Sequence, residues 1–194
     1  MLKFTCMALG DYQTNCYIIF NEDASTCAII DPGYEPERVL AAVNALGKTV
    51  EAILLTHGHF DHVGGVKAIA QATHCRVYLC EEDLNLPPHF TAGPLYYTDG
   101  YEDGDVLQLA GLKIKVLHTP GHTPGSVCLM VEDVIFSGDT LFCRSCGRTD
   151  IGGDWQTLMR SLNRFKELPN CAVYPGHGGS TTVYEELKYN PYLR

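Results

Sequence analysis

The sequence predicts an α/β fold in which two similar halves, each a mixed β-sheet with outer helices, form a layered sandwich. One observation behind this prediction is the order of the elements, since strands, helix, strand and helix follow one another in each half of the chain. Another is the composition: 45% of the 194 residues are hydrophobic, which suffices for one buried core, and no low-complexity tract divides the chain. We therefore expect a single domain over residues 1–194.

The first half is predicted to contain four strands and two helices. Apolar and β-branched residues cluster between turn signals at about 2–9, 15–20, 26–30 and 51–56, which predicts the strands. The helices are expected over 36–46 and from about 63 to 73. Pro36 suits the first turn of the first helix, and Gly47 follows its last residue.

The second half is predicted to contain six strands, three of them near 105–117 and the others at 126–131, 133–137 and 171–174. Asp154 is a suitable N-cap for a helix whose apolar stripe consists of Trp155, Leu158, Met159, Leu162 and Phe165. The capping-box spacing of Thr182 and Glu185 indicates a last short helix. Residues 81–104 contain several prolines and glycines and are expected to form a long surface loop.

Charge and cysteine content narrow the class of protein. The net charge of −9 repels phosphate backbones, so no nucleic-acid partner is expected. The N-terminus does not read as a signal peptide, and no apolar stretch reaches the ~20 residues that cross a bilayer. Nine cysteines, an odd number in a chain too large to need disulfides, indicate a reducing compartment, and we expect a cytoplasmic protein.

A dense group of metal-binding side chains follows the strand predicted at 51–56. His57 and His59 are two residues apart in an extended chain and therefore point to the same side. Asp61 and His62 would lie at the start of the next helix. Three histidines and an aspartate at this spacing are rarely all structural, and they could serve two adjacent metal ions.

Three more candidate ligands each follow a short apolar strand and lie beside a glycine. They are His122 in segment 119–123, Asp139 in segment 137–140 and His177 in segment 174–178. Glycine allows the backbone to turn sharply and to approach closely. Because ligands at the same ends of several strands can meet along one edge of a sandwich, the sequence predicts a metal site built from both halves.

These motifs resemble the metallo-β-lactamase superfamily and, within it, the short glyoxalase II-like hydrolases (hydroxyacylglutathione hydrolases). The segment His57–His62 has the superfamily pattern H-x-H-x-D-H, and the resemblance continues through Asn15-Cys16-Tyr17, Asp31-Pro32-Gly33, Gly121-His122-Thr123-Pro124-Gly125-Ser126, Gly138-Asp139-Thr140-Leu141-Phe142, Gly147-Arg148-Thr149-Asp150, Pro175-Gly176-His177-Gly178 and Asn190-Pro191-Tyr192-Leu193. The resemblance implies a four-layer αββα sandwich with its site on one edge. It also implies one ion on His57, His59 and His122, a second on Asp61, His62 and His177, and Asp139 as the bridge between them.

The implied cofactors are two divalent metal ions. Imidazole ligands suit zinc or iron, and the carboxylates also admit manganese; zinc is the metal expected first. Two adjacent cations lower the pKa of a shared water and polarise a substrate carbonyl, so a metal-bound hydroxide would attack, with Asp61 and Asp139 as the catalytic carboxylates. By resemblance Asp31 orients a ligand, although Asp-Pro-Gly is also common turn chemistry.

The resemblance points to an acyl thioester such as S-lactoylglutathione as the small-molecule substrate. A thiol departs as thiolate with little help, whereas an amide nitrogen needs a proton donor, and no motif supplies an extra acid. Arg148 is the candidate substrate contact, since its planar fork suits a carboxylate; an internal salt bridge to Asp150 or Asp154 is the alternative. Glyoxalase II proper has a helical C-terminal domain that helps to bind glutathione. With 17 residues after His177, no such separate domain is expected here.

Two other functions remain open. A persulfide dioxygenase of the same superfamily would hold one Fe(II) on His57, His122 and Asp139, and segment 146–150 resembles that family too. A non-enzymatic metal-binding protein is the other, because a fold does not fix a function. Cys143 and Cys146 form a C-x-x-C pair, which we interpret as two small side chains near the site and not as a redox or zinc motif.

Overall fold

The computed structural model describes residues 1–193, and its centre is a pair of six-stranded sheets that face each other between outer helices. The first sheet has the strand order β1 to β6: β1 (Leu2–Leu9), β2 (Thr14–Asn21), β3 (Thr26–Ile30), β4 (Thr49–Leu54), β5 (Arg76–Leu79) and β6 (Asp99–Gly100). Its first three strands are antiparallel, and β3 to β6 are parallel. Its helices are α1 (Pro36–Ala45), α2 (Phe60–Val63) and α3 (Val66–Thr73).

The second sheet contains the strands β7 (Val106–Leu109), β8 (Leu112–His118), β9 (Val127–Val131), β10 (Val134–Gly138), β13 (Ala172–Pro175) and β14 (Thr181–Thr182), in the order β14-β13-β10-β9-β8-β7. Only β10 and β13 are parallel within it. A separate hairpin is formed by β11 (Leu141–Phe142) and β12 (Ser145–Cys146). The remaining helices are α4 (Pro88–Thr91), α5 (Trp155–Arg164) and α6 (Val183–Tyr189).

The central strands of each sheet are apolar on both faces, and the core therefore forms three clusters, one between the sheets and one on the outer side of each sheet. In β2, Tyr17 and Ile19 pack between the sheets, while Cys16 and Ile18 pack on the side of α1 and α3. On the second sheet, Ile135 and other outward-facing residues pack against α5. Because each sheet buries both faces, helices must cover the outer ones. The predicted αββα order is confirmed.

The prediction of one helix from about 63 to 73 is wrong at its start. The chain forms the short α2 and then α3, with Gly64 and Gly65 between them. The Gly65 amide donates to the carbonyl of Pro32, and a Cβ at Gly64 would lie 2.3 Å from the carbonyl oxygen of Gly33. The two glycines therefore let the loop after β3 lie against the start of α3, which interrupts the helix.

The prediction of three strands near 105–117 is also wrong, since two are present. Ala110 and Gly111 both have positive φ, at 53° and 69°, and turn β7 directly into β8. Within the predicted loop 81–104 the structure has a 3₁₀ turn (Glu81–Asn85), α4 and β6. Pro88 lies in the first turn of α4, where its missing N–H costs nothing. The preceding strand β5 was not predicted.

The helix caps agree with the sequence patterns in part. Asp154 accepts a hydrogen bond from the amide of Thr157, and Thr182 accepts one from the amide of Glu185. Glu185 itself pairs with Arg144. Of the predicted apolar stripe on α5, Trp155 remains 45% exposed. No helix within residues 1–193 is long and apolar enough to span a bilayer.

Candidate metal centre

The seven candidate ligands converge at one edge of the sandwich. His57 and His59 lie between β4 and α2, Asp61 and His62 lie in α2, and His122, Asp139 and His177 follow β8, β10 and β13. Six of the seven side chains form two groups of three whose ligand atoms lie within 4.8 Å of one another. The structure thus brings together residues from both halves of the chain.

The first group, which we term triad 1, consists of His57, His59 and His122. Nε2 of His122 lies 3.2 Å from Nε2 of His57 and 2.9 Å from Nδ1 of His59. Ligand atoms around a tetrahedral zinc ion, with Zn–N distances of about 2.0–2.1 Å, are about 3.3 Å apart. Three buried imidazole nitrogens at this spacing fit one metal ion.

The second group, triad 2, consists of Asp61, His62 and His177. Oδ2 of Asp61 lies 3.2 Å from Nε2 of His177 and 3.6 Å from Nε2 of His62, and the two nitrogens are 3.3 Å apart. Thr14 donates its hydroxyl to Oδ2 of Asp61 at 3.1 Å and so orients that carboxylate. These spacings fit a second ion, held by mixed nitrogen and oxygen ligands.

Asp139 lies between the two triads. Its Oδ2 is 3.5 Å from Nε2 of His122 in triad 1 and 3.6 Å from Nε2 of His177 in triad 2. Its Oδ1 is 3.4 Å from Nε2 of His62, and within residues 1–193 this buried atom has no hydrogen-bond partner. A buried carboxylate oxygen without a donor is costly unless a cation neutralises it. The orphaned oxygen therefore fits a position between two metal ions.

Each histidine is fixed by a hydrogen bond at its other ring nitrogen. The acceptors on this outer side are backbone carbonyls of Ile151 for His59, Arg148 for His122 and Tyr12 for His177, at 2.9, 2.7 and 3.1 Å. The hydroxyl of Thr56 lies 3.1 Å from Nδ1 of His57. Such partners fix the tautomer that leaves the inner nitrogen free to bind a metal.

Asp31 supplies the outer partner of His62. Its Oδ2 lies 2.9 Å from Nδ1 of His62 and accepts a hydrogen bond from the hydroxyl of Thr56 at 2.5 Å, while its Oδ1 accepts one from the amide of Thr56 at 2.8 Å. Asp31 has a φ of 50° and is buried, so the Asp-Pro-Gly turn and the contact to His62 occur together. The role that the resemblance implies for Asp31 and its role in the turn are thus compatible.

Burial and charge separate the protonation of the two triads in the metal-free protein. Burial lowers the pKa of His57, and together with His122 it lowers that of His59 to about 4. Burial opposes protonation of His62 too, but the charges of Asp139 and Asp31 raise its pKa to about 9. For Asp61, burial raises the pKa, and the contacts to His177 and His62 outweigh it to give a lowered value. Triad 1 is therefore neutral, while triad 2 contains a positive charge on His62 and a negative charge on Asp61.

Two glycines allow the backbone to approach the centre. A Cβ at Gly176 would lie 2.2 Å from Oδ1 of Asp139 and 2.7 Å from Cε1 of His62. A Cβ at Gly147 would lie 1.9 Å from the carbonyl oxygen of Asp139 and 2.9 Å from Nδ1 of His122. Any side chain at either position would displace a candidate ligand.

The early segment Asn15-Cys16-Tyr17 positions the loop that carries His177. Asn15 donates to the carbonyls of Pro175 and Gly178, at 3.0 and 2.9 Å, and the hydroxyl of Tyr17 donates to the same carbonyl of Pro175. These bonds tie the second strand of one sheet to the end of β13 in the other.

Asp83 is a buried residue that sequence reasoning missed. It accepts hydrogen bonds from the amides of Gly58 and Gly125, at 2.7 and 2.6 Å, and from the hydroxyl of Thr123 at 3.0 Å. It thereby connects the loop of His57 and His59 to the loop of His122. Nothing in the sequence around residue 83 marks it, because the segment carries several acidic residues of which one is buried.

A pocket of about 520 Å³ opens onto the centre. Its polar lining includes His59, Asp61, His122, Asp139 and His177, and the rest of its wall is mainly apolar. Arg148 lines it too, but its guanidinium pairs with both carboxylate oxygens of Asp150, at 2.6 and 2.5 Å. The salt bridge predicted as the alternative role of Arg148 is therefore present, at the rim of the pocket.

The C-x-x-C pair lies at the β11–β12 hairpin beside this pocket. Cys143 is exposed in the turn, whereas Cys146 is half-buried in the pocket wall, and both are free thiols. Burial raises the pKa of Cys146 to about 11, which disfavours its thiolate. Asn190 holds the hairpin through a hydrogen bond to the carbonyl of Ser145 at 2.9 Å.

The chain is similar to known proteins over most of its length. A family model described as the metallo-beta-lactamase superfamily matches residues 9–177. A curated relative, the hydroxyacylglutathione hydrolase GloC of Haemophilus influenzae, is 36% identical over 94% of this chain and 93% of its own length.

Solved structures with similar folds include proteins of different names. The chain of TTHA1623 in a di-iron-bound form is 38% identical, with a TM-score of 0.84, and the match covers 97% of this chain and 100% of that one. ETHE1 from Myxococcus xanthus is 31% identical, with a TM-score of 0.84 over 97% of this chain and 83% of its own. Similarity at this level is therefore shared by proteins with different names, one of which was solved with two iron ions bound.

Proposed function

This chain belongs to the metallo-beta-lactamase superfamily, and from that membership we propose that it is a dinuclear metal-dependent hydrolase of acyl thioesters such as S-lactoylglutathione. The observation that carries the proposal is the position of Asp139 between two complete donor triads, with one buried oxygen that no described residue of 1–193 satisfies. One metal ion alone would leave three of these ligands without a use.

The proposed division of ligands follows the distances. Triad 1 would hold one ion through His57, His59 and His122, and triad 2 would hold the other through Asp61, His62 and His177, with Asp139 contacting both. When bound, the ions would supply a hydroxide nucleophile at neutral pH and positive charge beside the substrate carbonyl. Asp31, Thr56 and the backbone carbonyls keep the histidine rings in their ligand orientation.

The pocket favours a substrate with a good leaving group. Apart from the proposed ligands, the pocket wall formed by described residues contains no carboxylic acid and no lysine that could protonate an amine. A thiolate departs without such a donor, because the pKa of a thiol is about 8.5. The similarity to GloC, named a hydroxyacylglutathione hydrolase, supports the same class.

A persulfide dioxygenase is the second candidate, and the similarity to ETHE1 is the observation behind it. It would hold one Fe(II) on His57, His122 and Asp139. Triad 2 argues against it, since Asp61, His62 and His177 converge at ligand spacing without being needed for that chemistry.

Metal analysis and a substrate panel test the proposal. Protein purified without added metal and then loaded with Zn²⁺, Fe²⁺ or Mn²⁺ should bind two ions per chain and hydrolyse S-lactoylglutathione. Glutathione persulfide should not be oxidised. One ion per chain together with oxygen consumption on the persulfide would favour the dioxygenase. Two ions with no turnover of any thioester would favour a non-enzymatic metal-binding protein.

A further inference from the structure

Apolar side chains surround the candidate metal centre on the pocket side. Tyr12, Phe60, Phe90, Phe142 and Ile151 line the pocket, and we term this set the apolar wall. Chemistry at the metal ions does not require any of them. Their common feature is that large apolar groups remain partly exposed around a concave surface.

The apolar wall borders both triads. The ring of Phe90 lies 6.1 Å from that of His59 in triad 1, and the ring of Phe142 lies 6.2 Å from that of His177 in triad 2. Tyr12 and Phe60 form an edge-to-face pair at 5.2 Å, and Phe60 directly precedes Asp61 in the chain. A carbonyl carbon placed beside Asp139 would therefore have apolar surface on either side of it.

The wall is accessible to a ligand. Tyr12 is 59% exposed, and Phe60, Phe90 and Phe142 are only partly buried. The pocket volume of about 520 Å³ lies within the ~300–1,000 Å³ range of small-molecule sites. Exposed apolar surface in a groove typically marks a ligand site, because burying it releases water.

The charged residues at the rim of the pocket do not provide a free cationic group that would select an anionic acyl chain. Arg148 is the one lysine or arginine among the described lining residues, and its Nε and Nη2 already donate to the two carboxylate oxygens of Asp150. The acyl group of S-lactoylglutathione carries a hydroxyl, and the wall beside the centre offers it mainly carbon.

We propose that the apolar wall binds the acyl chain of the substrate, so that thioesters of apolar acyl groups of several carbons are preferred to S-lactoylglutathione. This inference rests on the proposed thioester hydrolysis and deepens it. It names the part of the substrate that this pocket recognises, whichever thiol carries it.

Two acyl series with a constant thiol test the proposal in the metal-loaded protein. Acetyl, butyryl, hexanoyl and octanoyl thioesters of glutathione, and then of N-acetylcysteamine, should show kcat/KM rising by about fourfold per buried methylene until the pocket is filled. Hexanoylglutathione should exceed S-lactoylglutathione by at least about tenfold. A change of less than about threefold across both series would overturn the proposal.

Binding of thioethers gives a readout without turnover. The Kd of S-hexylglutathione, measured by calorimetry, should be at least about tenfold lower than that of S-methylglutathione. If no thioester is hydrolysed but this difference is found, the proposed function fails and the apolar binding site stands. If thioesters are hydrolysed with no dependence on chain length, the proposed function stands and the apolar binding site fails.

Substitutions locate the binding surface. The double change Phe90→Ala and Phe142→Ala should remove most of the chain-length dependence, and Phe90→Leu with Phe142→Leu should restore part of it. Tyr184→Ala is the matched control, since it removes an aromatic ring that is 58% exposed and does not line the pocket. Metal content and Tm show whether each variant is folded. A folded double alanine variant that keeps the full chain-length dependence would assign recognition elsewhere and overturn the proposal.

Discussion

Oδ1 of Asp139 lies 3.4 Å from Nε2 of His62. This oxygen is buried, and no residue of 1–193 donates a hydrogen bond to it. The other oxygen of the same carboxylate faces His122 and His177, one from each triad. One residue thus contacts both groups of ligands. The centre should therefore depend on Asp139 more than on any single histidine.

Asp139→Ala should be the most damaging single substitution. Without the carboxylate, two cations would face each other with no negative charge between them, and at least one should be released. We expect less than two ions per chain and a loss of kcat/KM of at least about 10³-fold, since metal catalysis contributes several kcal/mol. Elemental analysis and thioester kinetics measure both. The control is Asp133→Ala, which removes an exposed carboxylate; two ions and normal rates in Asp139→Ala would refute the bridging role.

Gly176→Ala should disrupt the candidate metal centre without removing any ligand. The added Cβ would lie 2.2 Å from Oδ1 of Asp139, so the carboxylate or the loop must move. We expect metal affinity to fall by about 10-fold to 100-fold, which is the loss typical when groups that support metal ligands are altered. Gly179→Ala is a close control, because a Cβ there meets nothing within 4 Å. Equal metal affinities in the two variants would show that the site tolerates the shift.

Metal binding should release protons from triad 2. The pKa of His62 in the metal-free protein is raised from 6.5 to about 9, with burial opposing and Asp139 and Asp31 favouring its charged form. At pH 7.5 this ring is protonated and must lose its proton to become a ligand. Calorimetric Zn²⁺ titrations in buffers of different ionisation enthalpy should show at least about one proton released per chain. The exposed His89→Asn change should leave this number unaltered.

The raised pKa of His62 also determines the direction in which the stability of the metal-free protein changes with pH. A histidine whose pKa is higher in the folded than in the unfolded protein contributes stability. This contribution is complete at a pH below the unfolded pKa, and it is lost as the pH rises through the folded pKa. The metal-free protein should therefore lose stability between about pH 6.5 and 9. If His62 binds a metal ion as proposed, it is neutral in the metal-loaded protein, and the loss should be absent there. Thermal melts of both forms across this range provide the measurement, and identical curves would contradict the prediction.

Asp83→Ala should lower stability, because it leaves the buried amides of Gly58 and Gly125 without an acceptor. Each unsatisfied buried group costs about 1–3 kcal/mol, and 1 kcal/mol corresponds to about 2–4 °C in a domain of this size. We expect Tm to fall by at least about 5 °C in metal-free protein. Glu82→Ala is the control, since Glu82 is its exposed neighbour. A similar Tm for both variants would mean that Asp83 is not a structural anchor.

The layered fold and the convergence of the candidate ligands could be predicted because both depend on local patterns. His122, Asp139 and His177 each follow an apolar strand and lie beside a glycine, and strand ends meet at an edge. The role of Asp83 could not be predicted in this way, since its partners are 25 to 42 residues away along the chain. Phe90 and β6 lie within the segment 81–104, where prolines suggested a loop although Pro88 in fact begins a helix.

Arg148 is the residue whose role the sequence left open, and the two alternatives predict different kinetics. Its guanidinium is 65% exposed at the pocket rim and is paired with Asp150. An exposed ion pair is screened by water and contributes little to stability, so Arg148→Ala should leave Tm near normal. If Arg148 also contacts the anionic thiol carrier, its loss should raise KM for a glutathione thioester far more than for the same acyl group on neutral N-acetylcysteamine. Asp150→Asn is the informative companion, because it frees the guanidinium and should lower KM for the anionic substrate. If Arg148→Ala instead lowers Tm and affects both substrates alike, the salt bridge is structural and the glutathione carrier loses its support from this residue.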